Sequence, residues 1–263
     1  MKYLFDVGEG MIEEVRSHPR RAFFLDYDGT LTPIVRDPSK AFLPPQYREV
    51  IASVVAREGN FVCIISGRSI EQLREFIGLK DLFLAGNHGM EISGPDVAYV
   101  NEEALQAKPL LEEITDTLRA TLRDFEGAVV EEKGLTVSLH YRMVPKRQHP
   151  HVKRSFSQAM AQFLASNAVI VTGGKKILEV RPNVVWNKGS AVEWILGYLS
   201  DRSPKERSYP IYIGDDETDE DGFRALKSRG LTILVSPRRR SSEASYFIRD
   251  VEEVYRFLQF FTP

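Results

Sequence analysis

The stretch Ala22-Phe23-Phe24-Leu25-Asp26-Tyr27-Asp28-Gly29-Thr30-Leu31 decides how the rest of the chain is read. Four apolar residues in a row leave no polar face, so 22–25 is expected as a strand buried on both sides. The run stops at an acid followed by Gly29, and both are turn residues. Two more apolar runs end the same way. Residues 61–65 lead into Ser66-Gly67-Arg68, and 82–85 lead into Gly86-Asn87-His88-Gly89. Helical stretches separate the three. Residues 44–58 open with Pro44 and Pro45 and place Val50, Val54 and Val55 on one face; 70–77 place Leu73, Phe76 and Ile77 at helical spacing. Strands alternating with helices specify a parallel sheet covered by helices.

Further along, the pattern changes. Residues 90–100 read as a hairpin turning at Gly94-Pro95-Asp96, and 102–125 as one long amphipathic helix. Strand pairs follow at 128–131 with 135–141, around Gly134, and at 168–172 with 177–180, around Gly173-Gly174. A helix at 150–166 lies between them. Paired strands mixed with helices indicate an α+β unit with an antiparallel sheet. After Asn187 the alternation returns: helix 188–199, strand 210–213 ending at Gly214-Asp215-Asp216, helix 221–227, strand 232–235 and helix 251–261. The fold class is therefore α/β. A Rossmann-like parallel-sheet core is formed by residues 1–91 and 183–263, and an α+β cap domain is inserted at 92–182.

The composition of the 263 residues is ordinary: 43% hydrophobic, 27% charged, net charge -2. Nothing in that balance favours nucleic acid or an anionic membrane. The single cysteine, Cys63, excludes an internal disulfide and a cysteine-based zinc cluster, and its apolar surroundings make it a core thiol. The first ten residues do not resemble a signal peptide, and no segment is long enough to span a membrane, so a cytoplasmic location is expected. A monomer is the expectation.

In parallel sheets, ligands bind beyond the carboxyl ends of the strands. Four of the expected strands end in polar clusters, which would bring Asp26, Asp28 and Asp215 into a small volume. Carboxylates crowded into a partly buried site repel one another, and a cation relieves this. Oxygen ligands plus water suit Mg²⁺. Each cluster alone has a plainer reading. Asp-Tyr-Asp-Gly could be a turn, Ser-Gly-Arg a strand end, and Asn187-Lys188-Gly189-Ser190 a helix start. Residues 214–221 could be a solvated acidic face, and Pro237-Arg238-Arg239-Arg240 a solvated loop. Their occurrence together, in order, at the ends of apolar runs favours a site.

These residues resemble the haloacid-dehalogenase superfamily of phosphatases. Asp26-Tyr27-Asp28-Gly29-Thr30-Leu31 is similar to its first motif, Ser66 to its second, Lys188 to its third, and Gly214-Asp215-Asp216 with Asp219 to its fourth. More narrowly, the chain resembles the trehalose-6-phosphate phosphatase family. That resemblance rests on Ser66-Gly67-Arg68, the segment from Gly86 through Asn87 and His88 to Glu91, Leu139-His140-Tyr141-Arg142, Lys176 with Glu179-Val180-Arg181-Pro182, and Asn187-Lys188-Gly189. It implies a phosphatase that uses Mg²⁺ and a sugar phosphate. Asp26 would be the nucleophile and Asp28 the acid and base, with Ser66 and Lys188 holding the phosphoryl oxygens. Asp26, Asp215 and the main-chain carbonyl of Asp28 would bind the metal, with Asp216 and Asp219 behind them. Arg68, Asn87, His88, Lys133, Arg142, Lys176 and Glu179 would bind the substrate, the last four from the cap. The cap would select the ester and close over it on hinges near Ser93 and Asn183. No synthase domain precedes these motifs, so a free-standing enzyme is implied. Alternatives are a phosphatase for another glycosyl phosphate (sucrose 6-phosphate, or a mannosyl or glucosyl phosphoglycerate), or a non-catalytic phosphosugar sensor on the same fold.

Overall fold

Successive residues of the 21–26 strand pack into two different cores. Phe23 and Leu25 join Val62, Ile64, Ile211, Ile213 and Ile233 on one side of a sheet. Ala22 and Phe24 join Cys63, Ile65, Tyr212 and Leu234 on the other. This is why the run is apolar without alternation: both of its faces are interior. The structure is a computed structural model. It describes residues 1–263 except Gly8, Arg36, Lys175 and Lys205, and of Glu9 the backbone alone.

The chain opens with β1 (Lys2–Tyr3) and α1 (Glu9–Ser17), then β2 (Arg21–Asp26), α2 (Pro45–Ala56), β3 (Asn60–Ile65), α3 (Ile70–Ile77) and β4 (Phe83–Gly86). Next come β5 (Glu91–Gly94), β6 (Val97–Val100), α4 (Glu102–Gln106), α5 (Lys108–Leu122), β7 (Val129–Glu132) and β8 (Val137–His140). They are followed by α6 (His149–Leu164), β9 (Val169–Gly174), β10 (Ile177–Pro182) and α7 (Lys188–Arg202). Last are β11 (Tyr209–Gly214), α8 (Asp219–Ala225), β12 (Leu231–Val235), β13 (Tyr246–Ile248) and α9 (Val251–Leu258).

Two compact units result: Met1–Tyr99 with Trp186–Pro263, and Val100–Val185. Among the described residues, the first holds a nine-stranded sheet in the order β1-β13-β12-β11-β2-β3-β4-β5-β6. From β1 to β4 every neighbouring pair is parallel, and β5 runs antiparallel to β4. Helices α2, α3 and α9 cover one face, and α7 and α8 the other. Buried Cys63 lies in the second core, where burial pushes its thiol up. The helices on this sheet start where their sequences direct. Ser69 and Gln72 close a capping box on α3, Asn187 and Ser190 close one on α7, and Asp250 caps α9.

The second unit is a four-stranded antiparallel sheet in the order β7-β8-β10-β9. Leu111, Ile114 and Leu118 of α5, with Val152, Phe156 and Met160 of α6, pack on Val137, Leu139 and Val180. Residues 102–125 were expected as one helix but form two. Pro109 lacks an N–H and its ring would clash with the preceding turn, so α5 restarts around it in its first turn. The 90–100 hairpin also differs from expectation. It extends the large sheet from β4 instead of belonging to the second unit, so the units divide at Tyr99/Val100 and Val185/Trp186. No helix among the described residues is long and apolar enough to cross a membrane.

Candidate active site

Strands β11, β2, β3 and β4 are consecutive in the sheet, so their carboxyl ends form one continuous edge. Register aligns that edge: Asp26 pairs with Ile65, Ile65 with Ala85, and Ile213 with Leu25. Asp26, Ser66, Asn87 and Asp215 therefore emerge side by side from segments far apart in sequence. Asp26 is buried, with its Oδ1 accepting a 2.8 Å bond from Lys188 Nζ. The capping box at Asn187 starts α7 and places Lys188 in its first turn. Lys188 Nζ also donates to Asp219 Oδ1 at 2.7 Å, and that oxygen accepts a second bond, 2.9 Å, from the Tyr212 hydroxyl. The other Asp219 oxygen accepts from the main-chain N–H groups of Asp215 and Asp216, at 2.9 and 3.0 Å. Asp219 is thus a fully buried carboxylate with four donors, and it fixes both the lysine and the loop after β11.

Burial works against the charge of Lys188, but the Asp219 and Asp26 carboxylates outweigh it and hold its ammonium well above the ordinary lysine range. Burial lifts the Asp26 carboxyl well above the ordinary range. Lys188 opposes this, and the carboxylates of Asp219, Asp215 and Asp216 add to it. The carboxylates of Asp215, Asp216 and Asp219 thus crowd Asp26 with like charge. Oxygens of Asp26, Asp215 and Asp219 lie within 4.8 Å of one another. Asp219 has spent its lone pairs on protein donors, so the oxygens that suit a cation are those of Asp26 and Asp215. Two glycines make the approach possible. A Cβ on Gly29, whose φ is +96°, would collide with the Asp215 carboxylate, and one on Gly214 would collide with that of Asp219. Hard oxygen donors with surplus negative charge fit a divalent cation. Asp216 lies to the outside, accepting at 2.7 Å from both the N–H and the hydroxyl of Thr218.

Asp28, part-exposed, is gripped by Arg68. The main-chain N–H of Arg68 donates to Ser66 Oγ at 3.2 Å, and Ser66 is itself buried. The 86–91 segment is stapled to this loop. Asn87 N–H donates to the Arg68 carbonyl and His88 N–H to the Ser66 carbonyl, both at 2.8 Å. Asn87 was expected at the substrate. It is fully buried, and its amide donates to Glu91 Oε1 at 2.8 Å, where it braces the turn that gives Asn87 and His88 positive φ. Burial raises the Glu91 carboxyl, opposed by bonds from Ile70 N–H and Asn87. The His88 ring fills the space that a Cβ on Gly67 would need.

In the second unit, Glu179 pairs across β8 with Ser138, and Ser138 across β7 with Glu131. All three share the face opposite the helices, since side chains alternate along a strand. Lys133 reaches that face from the β7–β8 turn and bonds Glu179 Oε1 at 2.5 Å, with both side chains buried. His140 Nε2 lies 2.7 Å from Glu131 Oε2. Lys176, exposed and at positive φ in the β9–β10 turn, lies near His149 and over the Tyr141 ring. Arg142 follows Tyr141, half-buried.

The trehalose-phosphatase family pattern matches residues 24–252. Trehalose-phosphate phosphatase B of Arabidopsis thaliana is 36% identical over 248 residues, covering 90% of this chain and 64% of that protein. The chain therefore spans just under two thirds of that relative's length. A crystal structure described as a trehalose-6-phosphate phosphatase related protein superposes with TM-score 0.76 at 27% identity, over 91% of this chain and 96% of the other. The C-terminal domain of the Candida albicans trehalose-6-phosphate phosphatase gives TM-score 0.80 at 24% identity over 95% and 94%, a likeness of fold. The chain belongs to the trehalose-phosphatase family.

Within the trehalose-phosphatase family frame, three further side chains stand outside the motifs. Tyr212, an aromatic in an aliphatic strand, anchors Asp219. Arg240, read as part of a solvated loop, donates to the Asp215 carbonyl at 2.8 Å. Glu131 joins His140 on the polar face of the second unit, a placement signalled by the two-residue spacing of Glu131 and Lys133.

Proposed function

We propose that this chain hydrolyses trehalose 6-phosphate to trehalose and phosphate in two displacements through an aspartyl phosphate on Asp26. The observation that carries the reading is the Asp26–Lys188–Asp219 triad at the edge of a trehalose-phosphatase sheet. An Asp26 oxygen attacks phosphorus as the bond to the sugar oxygen breaks, and Asp28 gives that oxygen its proton. Water then attacks the aspartyl phosphate, Asp28 takes its proton, and the Asp26 carboxylate is regenerated. Ser66 and Lys188 hold the phosphoryl oxygens, where fixed donors stabilise the developing charge. Asp26, Asp215 and the Asp28 carbonyl would hold Mg²⁺, with Asp216 and Asp219 supporting them. When bound, the ion supplies positive charge to the phosphoryl oxygens and offsets the crowded carboxylates.

Sugar recognition is assigned to the second unit, through Glu179, Lys133, Arg142 and Lys176. Hydroxyl-rich ligands need converging polar groups, and the 131–140–179 face supplies them. Arg68 and His88 stand at the core edge. Phosphate release measured over a panel of disaccharide and monosaccharide phosphates tests the proposal. Trehalose 6-phosphate is expected to exceed every other ester in kcat/KM. A higher value for sucrose 6-phosphate or a glycosyl phosphoglycerate would overturn the substrate assignment, and no release from any ester would favour a sensor.

A further inference from the structure

We infer that Arg68 is a positioning residue for the proton-transferring carboxyl of Asp28, in place of the substrate contact expected from its motif. The inference rests on the role proposed above for Asp28. Arg68 Nε donates to Asp28 Oδ2 and Nη2 to Oδ1, each at 2.6 Å, which is the two-point fork of guanidinium on carboxylate. The fork is held from behind. The guanidinium carbon lies 4.8 Å from the Phe76 ring centroid and 5.6 Å from that of Tyr27. Tyr27 is fixed in turn by its hydroxyl, which donates to the Ala41 carbonyl at 2.6 Å. The Arg68 backbone is pinned at both ends, its N–H by Ser66 Oγ and its carbonyl by Asn87 N–H.

The two partners differ in exposure. The Arg68 side chain is 11% exposed and that of Asp28 is 37%. A carboxylate so open on a loop would sample several rotamers, and misplacement of a proton donor by about 1 Å can cost on the order of 10²-fold in rate. The arginine, walled in by rings, restricts it. Each carboxyl oxygen keeps a second lone pair while accepting from the fork, so a proton can be carried and delivered without breaking the grip. Lysine could supply the charge but not the fork.

Leaving-group dependence separates this role from the alternatives. A phenolate bearing electron-withdrawing groups departs without a proton, whereas a basic phenolate or a sugar alkoxide needs one. The experiment measures kcat/KM for ring-substituted phenyl phosphates of graded leaving-group basicity, which make few sugar contacts. Wild type, Asp28→Asn, Arg68→Gln, Arg68→Lys and the Arg68→Gln/Asp28→Asn double variant are compared, each with its thermal midpoint. Asp28→Asn is expected to steepen the fall of log kcat/KM with leaving-group basicity. Arg68→Gln steepens it in the same sense, by about 10²-fold between the best and worst leaving groups. Arg68→Lys falls between, and the double variant is no steeper than Asp28→Asn alone. Should Arg68→Gln prove unstable, the slope for Arg68→Lys decides. An Asp28→Asn slope equal to wild type would overturn the role of Asp28 beneath this inference. A steep Asp28→Asn slope with unchanged slopes for both Arg68 variants would overturn the inference itself. In that case, a uniform fall over all phenyl phosphates marks Arg68 as a phosphate contact, and a fall on trehalose 6-phosphate alone marks a sugar contact.

Discussion

Two buried lysines, one in each unit, show how the surroundings of a buried charge decide what its loss would do. Lys188 lies in the first turn of α7 between Asp26 and Asp219, 3% exposed, with Asp219 saturated by four donors. Lys133 bonds Glu179 and is also buried, but it stems from a four-residue turn at the end of a sheet, closed by Lys133 N–H on the Thr136 carbonyl. If Glu179 is removed, the long Lys133 side chain can swing outward and keep its ammonium in water. If Lys188 is removed, two carboxylates remain in a buried edge that four strands hold in place. The proposed chemistry falls on the rigid arrangement, and the proposed recognition on the adaptable one.

The strongest challenge to this contrast is Asp26→Asn. The amide is isosteric and still accepts from Lys188, so the fold and melting behaviour should persist. Turnover should drop by at least about 10⁴-fold, for trehalose 6-phosphate and an aryl phosphate alike. Substantial phosphate release by the folded variant would remove Asp26 as nucleophile. Exhaustive chelation is expected to abolish activity toward both substrates, with Mg²⁺ restoring it and Ca²⁺ not, because Ca²⁺ accepts more and longer bonds and can draw both Asp26 oxygens. Full activity in chelator would sink the metal assignment.

Lys188→Met sets the two lysines apart. It should cost about 3–5 kcal/mol of stability in urea titration, as expected for stranding a buried partner charge. Glu179→Gln, which leaves the long Lys133 side chain able to reach water, should cost clearly less, and equal losses would dissolve the distinction between the two lysines. Lys176→Ala and Glu179→Ala should lower kcat/KM on trehalose 6-phosphate by about 10–10³-fold, the value of one or two polar contacts left unpaired, while barely altering aryl phosphate turnover. Lys176 is exposed, so its removal should leave the melting temperature unchanged. A parallel fall on both substrates at unchanged stability would deny the second unit its role in selectivity. The smallest effect belongs to Tyr212→Phe. One hydrogen bond to Asp219 is lost from four, for about 1 kcal/mol of stability and a modest fall in turnover.

Much of the core site was legible because a strand buried on both faces must be apolar and must then stop abruptly. Asp26, Ser66, Asn87 and Asp215 all stand at such stops. The division between units was less legible. The pattern in sequence changes at the 91–100 hairpin, yet an antiparallel hairpin can extend a parallel sheet, and β5 and β6 do so. Strands β1 and β13, of two and three residues, are too short to show any period. Side-chain direction was the other blind spot. Arg68 and Asn87 lie in the motifs that the resemblance names, but whether each points to a ligand or to Asp28 and Glu91 depends on rotamers that spacing does not encode.

In the proposed reaction a phosphoryl group rests on Asp26 between the two displacements. Its most direct test is rapid acid quenching of the enzyme during turnover of trehalose 6-phosphate carrying a radiolabelled phosphoryl group, followed by digestion and peptide mapping. Label is expected on the peptide containing Asp26, released by hydroxylamine as an acyl phosphate would be, and absent from Asp26→Asn. Label on a different residue, or label free in solution from the first turnover with none on the protein, would contradict it.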